Sequence, residues 1–143
     1  MKNVKNKRPM DYNCGGYALE TYDWYHPSDE MWFDYGMDEM DEETMLRQTQ
    51  QCVDYMLRQF KGLLRVIKGT WELQEQEYMI AFKIDAGGEN DFHYMKRGKN
   101  GHWTHKLGGL RVERIKREKV FQDCWEFDNI AYYGKTVFFA MKR

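Results

Sequence analysis

The clearest hydrophobic pattern in the chain is a stripe with helical spacing across residues 41–61. Apolar side chains recur there every three or four positions, at Met45, Cys52, Val53, Met56, Leu57 and Phe60. Acidic residues begin the segment and basic residues end it, which suits the two ends of a helix dipole. Gly62 follows as a plausible stop signal. We therefore predict a long scaffold helix in which Cys52 is simply a buried apolar side chain.

After this helix the pattern changes to that of strands. Apolar residues alternate with other residues across 77–85, which is typical of a β-strand. Shorter apolar runs predict further strands at 64–68, 91–97, 102–107, 110–115 and 136–141. Because helices come first and strands later, the chain is predicted to be an α+β protein with an antiparallel sheet.

The N-terminal part of the chain is less regular. Residues 1–13 are predicted as an extended arm and loop, and residues 14–25 as a short helix with Asn13 at its cap. Residues 26–40 are acidic and aromatic, and we expect an irregular, lid-like insertion there. With no repeat or linker visible, residues 1–143 are interpreted as one domain.

Composition narrows the class of protein. The chain has 143 residues, 42% of them apolar and 31% charged, with a net charge of -1. These values are typical of a soluble globular protein. A net charge this small produces no overall electrostatic field that would attract nucleic acid or a membrane surface. Residues 20–44 hold ten Asp or Glu and no Lys or Arg, whereas 96–119 hold nine Lys or Arg against two Glu. Such asymmetry can mark a binding face, but a solvated surface is the commoner meaning.

Cysteine usage indicates a reducing compartment. The chain has three cysteines: Cys14, Cys52 and Cys124. A disulfide framework needs more cysteines and an even number of them. Neither a secretory signal nor a membrane-spanning apolar run is visible, so we expect a cytoplasmic protein.

Candidate chemistry begins at Cys14, at the start of the first predicted helix. The free N–H groups of a helix start can stabilise a thiolate. Gly15 and Gly16 would leave the backbone open to a substrate carbonyl. The N–H of Cys14 could then serve as an oxyanion hole, helped by the Asn13 amide or the Tyr12 hydroxyl. The alternative is a small buried residue beside a Gly-Gly turn.

A base for this thiol is available in the hairpin of residues 91–107. A three-residue turn at 99–101 would use Gly101 in the left-handed conformation and pair Met95 with His105. His93 and His105 would then share one face, with His102 on the other. A two-residue turn would separate His93 from His105. We predict the three-residue turn because it lets His105 orient His93, the arrangement of nucleophile, base and orienting group.

The segment Asn13-Cys14-Gly15-Gly16-Tyr17 resembles the Asp-Cys-Ser-Gly-aromatic helix start of NlpC-type papain-like cysteine peptidases. In that family a histidine opens a later strand, and a second polar residue follows about a dozen positions on. The resemblance implies a papain-like core with N-terminal helices packed on an antiparallel sheet. It also implies a Cys14-His93-His105 triad. Asp91, two residues from His93 on the same face, is the alternative orienting residue.

The expected function is therefore a thiol hydrolase that cleaves a peptide or amide bond in a peptide or protein substrate. No cofactor, metal or membrane partner is expected, and the nearly balanced charge argues against nucleic acid as a partner. Three alternatives stay open: an acyl transferase with the same site, a zinc site formed by Cys14, His93, His102 and His105, and a non-enzymatic or degenerate papain-like binding protein. A phage-encoded inhibitor of a host protein would be an example of the last.

Overall fold

A six-stranded antiparallel sheet dominates the fold in the computed structural model, which describes residues 6–28, 40–85, 91–127 and 129–143. The helices are α1 (Cys14–Ala18), α2 (Glu42–Gln59) and α3 (Arg117–Val120), with short 3-10 helices at Pro9–Asp11 and Thr70–Glu72. The strands are β1 (Leu64–Ile67), β2 (Glu77–Ile84), β3 (Phe92–Arg97), β4 (Trp103–Lys106), β5 (Val112–Ile115), β6 (Trp125–Phe127), β7 (Ile130–Tyr132) and β8 (Val137–Lys142). The large sheet has the order β1-β8-β2-β3-β4-β5, and β6 pairs with β7 in a separate hairpin. The predicted α+β class with an antiparallel sheet is confirmed.

The long helix α2 forms where the hydrophobic stripe predicts it. Asp41 caps its start, with the side chain accepting a hydrogen bond from the Thr44 N–H at 2.7 Å. Its inner face, including Cys52 at 0% exposure, is buried against the sheet. Gly62 follows with a left-handed φ of 82°. Cys52 is a core residue, as predicted.

Helix α1 is shorter than predicted, ending at Ala18 instead of reaching residue 25. Just beyond it, the N–H groups of Thr21 and Tyr22 both donate to the carbonyl oxygen of Gly16. Glu20 and Tyr22 adopt left-handed φ values of 57° and 56°, which a continuing helix does not allow. The chain therefore turns back over its own helix start.

The two faces of the sheet hold two separate cores. Helices α1 and α2 pack on one face, over a cluster that includes Ile80, Phe82 and Tyr94. The other face carries a second cluster, with Met95, Trp103 and Trp125, under the β6–β7 hairpin and α3. Since side chains alternate along a strand, β3 sends Tyr94 to the first core and Met95 to the second.

The register of the β3–β4 hairpin follows the three-residue turn. Met95 pairs with His105 and Arg97 with Trp103. Gly101 has a φ of 82°, the left-handed value that this loop requires. The predicted register, with two histidines on one face, is confirmed.

Some predicted elements differ from the structure in extent, and one lies mostly outside the described residues. The C-terminal strand begins at Val137, and β5 covers only Val112–Ile115, the part of 110–115 that pairs with β4. The sequence did not predict α3, β6 or β7. Most of the lid-like insertion, residues 29–39, lies outside the described residues. In the part of the chain that is described, no helix combines the length and apolar character needed to cross a membrane.

Candidate active site

Cys14 and His93 line one cavity of about 490 Å³. It lies where the start of α1, the start of β3 and the β6–β7 hairpin meet. Its wall is largely aromatic, formed in part by Trp24, Tyr25, His26, Phe92, Phe127 and Tyr132. The topology thus brings the predicted nucleophile and the predicted base to the same cavity, although they are 79 residues apart in the sequence.

The thiol of Cys14 is buried, with 5% of the residue exposed. Its Sγ lies 4.0 Å from the carbonyl oxygen of Phe92, to which the thiol donates. Burial raises the pKa of Cys14 to about 12, even though the backbone N–H groups of Tyr94, Gly15 and Cys14 favour the thiolate. The resting thiol is therefore protonated at neutral pH. Burial thus outweighs the stabilisation of a thiolate that the helix start was expected to provide.

His93 and His105 form a hydrogen-bonded pair across β3 and β4. The Nε2 of His93 lies 2.8 Å from the Nδ1 of His105, and both residues are at most 3% exposed. Burial, followed by the neighbouring His105, lowers the pKa of His93 well below its usual value. Burial, followed by the charge of Lys119, lowers the pKa of His105 to about 4. Both rings are neutral at pH 7.

A carboxylate beside the pair favours one set of tautomers. The Nε2 of His105 faces the Glu113 carboxylate at 3.9 Å, which favours a proton on that nitrogen. In a neutral ring the Nδ1 of His105 then carries none and accepts from the Nε2–H of His93. The Nδ1 of His93 is left as the basic nitrogen. The lone pair on that nitrogen is the place where a proton can be added to His93.

Cys14 and His93 share the cavity without bonding to each other. The thiol donates to Phe92, and in the described ranges no hydrogen bond joins it to His93. Tyr132 lies beside the predicted base: its ring centroid is 5.5 Å from that of His93. A negative charge on Cys14 would also raise the pKa of Tyr132, after the larger effects of burial and Asp91. The structure thus holds thiol and imidazole around a space that a third group can enter.

Asp91 does not orient His93. Its Oδ2 accepts a hydrogen bond from the Tyr132 hydroxyl at 3.0 Å, and its Oδ1 accepts from the Phe92 N–H at 2.7 Å. The Nε2 of His93 is bonded to His105 instead. Of the two orienting residues weighed from the sequence, the geometry favours His105, and Asp91 is part of the cavity wall.

The two glycines after Cys14 serve packing, not substrate access. A Cβ on Gly15 would lie 3.0 Å from the Tyr94 ring, and one on Gly16 would overlap the carbonyl oxygen of Asp23. Both glycines are buried. The expectation that they leave the backbone open to substrate was wrong, because the returning chain fills that space.

Asn13 acts as a structural cap. Its Oδ1 accepts from the N–H groups of Gly16 and Tyr25, and its Nδ2 donates to the Tyr25 carbonyl at 2.8 Å. It therefore fixes α1 to a segment that forms part of the cavity wall. A contribution of its second amide hydrogen to an oxyanion hole stays a prediction.

Tyr12 is not part of the cavity wall. Its ring packs edge-on against Tyr22 at 5.3 Å and lies 4.6 Å from the Nζ of Lys106. The proposed oxyanion role of its hydroxyl is not supported by this position.

Lys106 is a site-supporting residue that the sequence did not reveal. Its side chain is fully buried on β4, and its ammonium donates to the carbonyl oxygens of Tyr12 and Gly108. Burial lowers the pKa of Lys106, and a charge on nearby Cys14 would raise it. Lys106 thus fixes the loop before Cys14 and places a positive charge near the thiol.

The β6–β7 hairpin was also missed. It supplies Phe127, Ile130 and Tyr132 to the cavity wall. Asn129, with a left-handed φ of 69°, is a turn signal that could have indicated it. Strands of three residues, however, are too short for alternation to be informative.

The zinc alternative lacks a ligand set. Strand parity puts His102 on the opposite side of β4 from His105, where it lies 3.4 Å from an Arg114 nitrogen. Within the described ranges, no group of three or more His, Cys, Asp or Glu side chains is arranged to hold a metal ion.

Comparison with known proteins identifies a family, but the description of that family states no activity. No curated protein matches the sequence, and no solved structure matches it either. Residues 3–141 match the family described as "Domain of unknown function (DUF7689)". Since that match spans nearly all of the 143 residues, the chain belongs to the DUF7689 family.

Proposed function

We propose that this protein is a thiol hydrolase of papain-like architecture that cleaves a peptide or amide bond. The observation that carries the proposal is the shared cavity of Cys14 and His93, with His105 bonded to the Nε2 of His93. A cysteine at a helix start beside an antiparallel sheet, and a histidine near the start of a strand, support the papain-like assignment.

The chemistry starts from neutral partners. A substrate carbonyl enters the cavity, and the Cys14 sulfur attacks its carbon while the Nδ1 of His93 takes the thiol proton. The N–H of Cys14 is available to the developing oxyanion. Proton transfer makes His93 a cation, and its Nε2–H bond to His105 strengthens at that moment.

The second half of the reaction returns the site to its resting state. The His93 imidazolium gives its proton to the leaving amine as the C–N bond breaks, which leaves a thioester on Cys14. Water then adds to the thioester while His93 accepts a water proton. The C–S bond then breaks, the carboxylic acid product departs, and the proton on His93 returns to the sulfur.

The test combines substrate cleavage with thiol labelling. We expect the purified protein to cleave members of a peptide library, as detected by mass spectrometry, and Cys14→Ser to abolish cleavage. His93→Gln should slow it by about a hundredfold or more, whereas His102→Gln, on the other face of the hairpin, should not. A peptide carrying an electrophilic carbonyl should modify Cys14 faster than the more exposed Cys124. Absence of both cleavage and preferential labelling would refute the hydrolase.

A second candidate is a papain-like binding protein without catalysis. The raised pKa of Cys14 and the bond of its thiol to Phe92 favour this candidate, because both describe an unreactive thiol. It predicts that Cys14 is modified more slowly than Cys124, which is the opposite of the hydrolase result.

A further inference from the structure

The cavity contains a negative charge that the proposed reaction does not use. Asp91 forms part of its wall, beside Cys14 and Phe92. Both carboxylate oxygens accept hydrogen bonds, but the donors are the neutral Tyr132 hydroxyl and Phe92 N–H. Neutral donors orient a carboxylate without cancelling its charge.

No cation in the described part of the chain compensates Asp91. None of the ion pairs among the described residues includes it. Lys106 supplies the buried cation near Cys14, but its ammonium is bonded to the carbonyl oxygens of Tyr12 and Gly108. The Asp91 charge is felt within the site, since it contributes to the raised pKa of Cys14 after burial. A cationic ligand would therefore gain an ionic partner that the protein does not supply.

The rest of the wall also suits a cation with an apolar body. Trp24, 60% exposed, lies on the wall together with Tyr25, Phe92 and Tyr132. Aromatic faces attract ammonium groups through their quadrupole, and they bury the hydrocarbon that carries such a group. Most of the remaining wall is apolar, as with Leu107 and Ile130.

We propose that the cavity selects a substrate bearing an ammonium group, which is held by the Asp91 carboxylate between aromatic walls beside Cys14. Asp91 is then the specificity-determining residue. This inference rests on the proposed function for the identity of the cavity as a substrate site. The class of substrate is a peptide or amide with a free amine, either a chain N-terminus or a lysine-like side chain, close to the bond that reacts.

Binding is tested first without the thiol. Cys14→Ala protein is titrated with 2-phenylethylamine, 2-phenylethanol and phenylacetate, which share an aromatic body and differ in charge. A charge-assisted hydrogen bond to Asp91 should make the amine bind about tenfold or more tightly than the alcohol. Adding Asp91→Asn should remove that difference. Adding Asp123→Asn, which makes the same charge change at an exposed position, should leave it unchanged.

Equal affinity for amine and alcohol, or a preference that survives Asp91→Asn in protein with an unchanged melting temperature, would overturn the inference. The outcome is separable from that of the hydrolase, because Cys14→Ala protein has no nucleophile. Amine selectivity without cleavage by the wild type would refute the hydrolase alone. Cleavage without amine selectivity would refute the role of Asp91 alone.

Cleavage by the wild-type protein shows which amine of the substrate, the N-terminus or a lysine side chain, is bound. Peptides that are acetylated at the N-terminus, or that carry norleucine in place of lysine, each lack one of the two amines. Loss of cleavage with one modification identifies the amine that Asp91 binds. Cleavage that persists when both amines are removed would contradict the proposal.

Discussion

The Nε2 of His93 and the Nδ1 of His105 lie 2.8 Å apart across neighbouring strands, in a part of the molecule that water hardly reaches. One hydrogen bond thus fixes the ring of the proposed base. Glu113 favours the tautomer in which His105 accepts this bond, and the Nδ1 of His93 then carries no proton. The orientation of the base is set by its hydrogen bond to a buried neighbouring ring.

The orienting role of His105 predicts a difference between two substitutions of similar size. His105→Asn keeps an oxygen that can accept from His93, whereas His105→Leu removes every acceptor. We expect His105→Leu to slow Cys14 modification by an electrophilic peptide about tenfold more than His105→Asn does. The measurement is the pseudo-first-order labelling rate, read by mass spectrometry across a range of pH. Equal rates for the two variants would mean that His105 only fills space.

The buried histidine pair predicts a loss of stability in acid. Unfolded histidine takes up a proton near pH 6.5, whereas burial lowers the folded pKa of His105 to about 4 and that of His93 well below 6.5. Their contribution is therefore complete above pH 6.5 and is lost as the pH falls towards 4 and below. For His105 alone, the free energy of unfolding should decrease by about 3 kcal/mol across that interval.

Urea unfolding at several pH values between 7.5 and 4 measures this effect. His105→Asn should reduce the slope of stability against pH, whereas His102→Asn should retain it. A slope that is the same in wild type and His105→Asn would contradict a buried neutral pair.

Gly16 is predicted to be intolerant of any side chain. An added Cβ would overlap the carbonyl oxygen of Asp23, a backbone atom held by the returning chain. We expect Gly16→Ala to destabilise the protein by about 3 kcal/mol, the upper end of overpacking effects. Gly98→Ala is the matched control, since its Cβ would meet nothing closer than 3.4 Å. Thermal unfolding compares the two, and similar melting temperatures would show that the loop at Asp23 can move.

Lys106 is predicted to affect both stability and thiol chemistry. Lys106→Met leaves the buried carbonyl oxygens of Tyr12 and Gly108 without their donor, and each loss costs about 1–3 kcal/mol. It also removes a positive charge near Cys14, so the thiol pKa should rise and alkylation should slow. Lys106→Gln keeps a hydrogen-bond donor without the charge and separates the two effects. If Lys106→Gln retains both the stability and the alkylation rate measured against pH, the electrostatic role is wrong.

The spacing of residues along short segments predicted elements of the fold and the register of one hairpin. The stripe at residues 41–61 predicted α2 because one face of a helix repeats every three to four residues. Gly101 predicted the β3–β4 register because a three-residue hairpin loop needs one left-handed residue. The proximity of His93 and His105 then followed from strand parity alone.

The sequence by itself determined the α+β class, the buried helix and the pairing of the two histidines, since each depends on spacing along a few neighbouring residues. Only the tertiary structure decided the protonation of Cys14, the packing role of Gly16 and the place of Asp91 in an aromatic cavity. Desolvation, steric exclusion and uncompensated charge arise from segments distant in sequence, and no local pattern records which of those segments will meet.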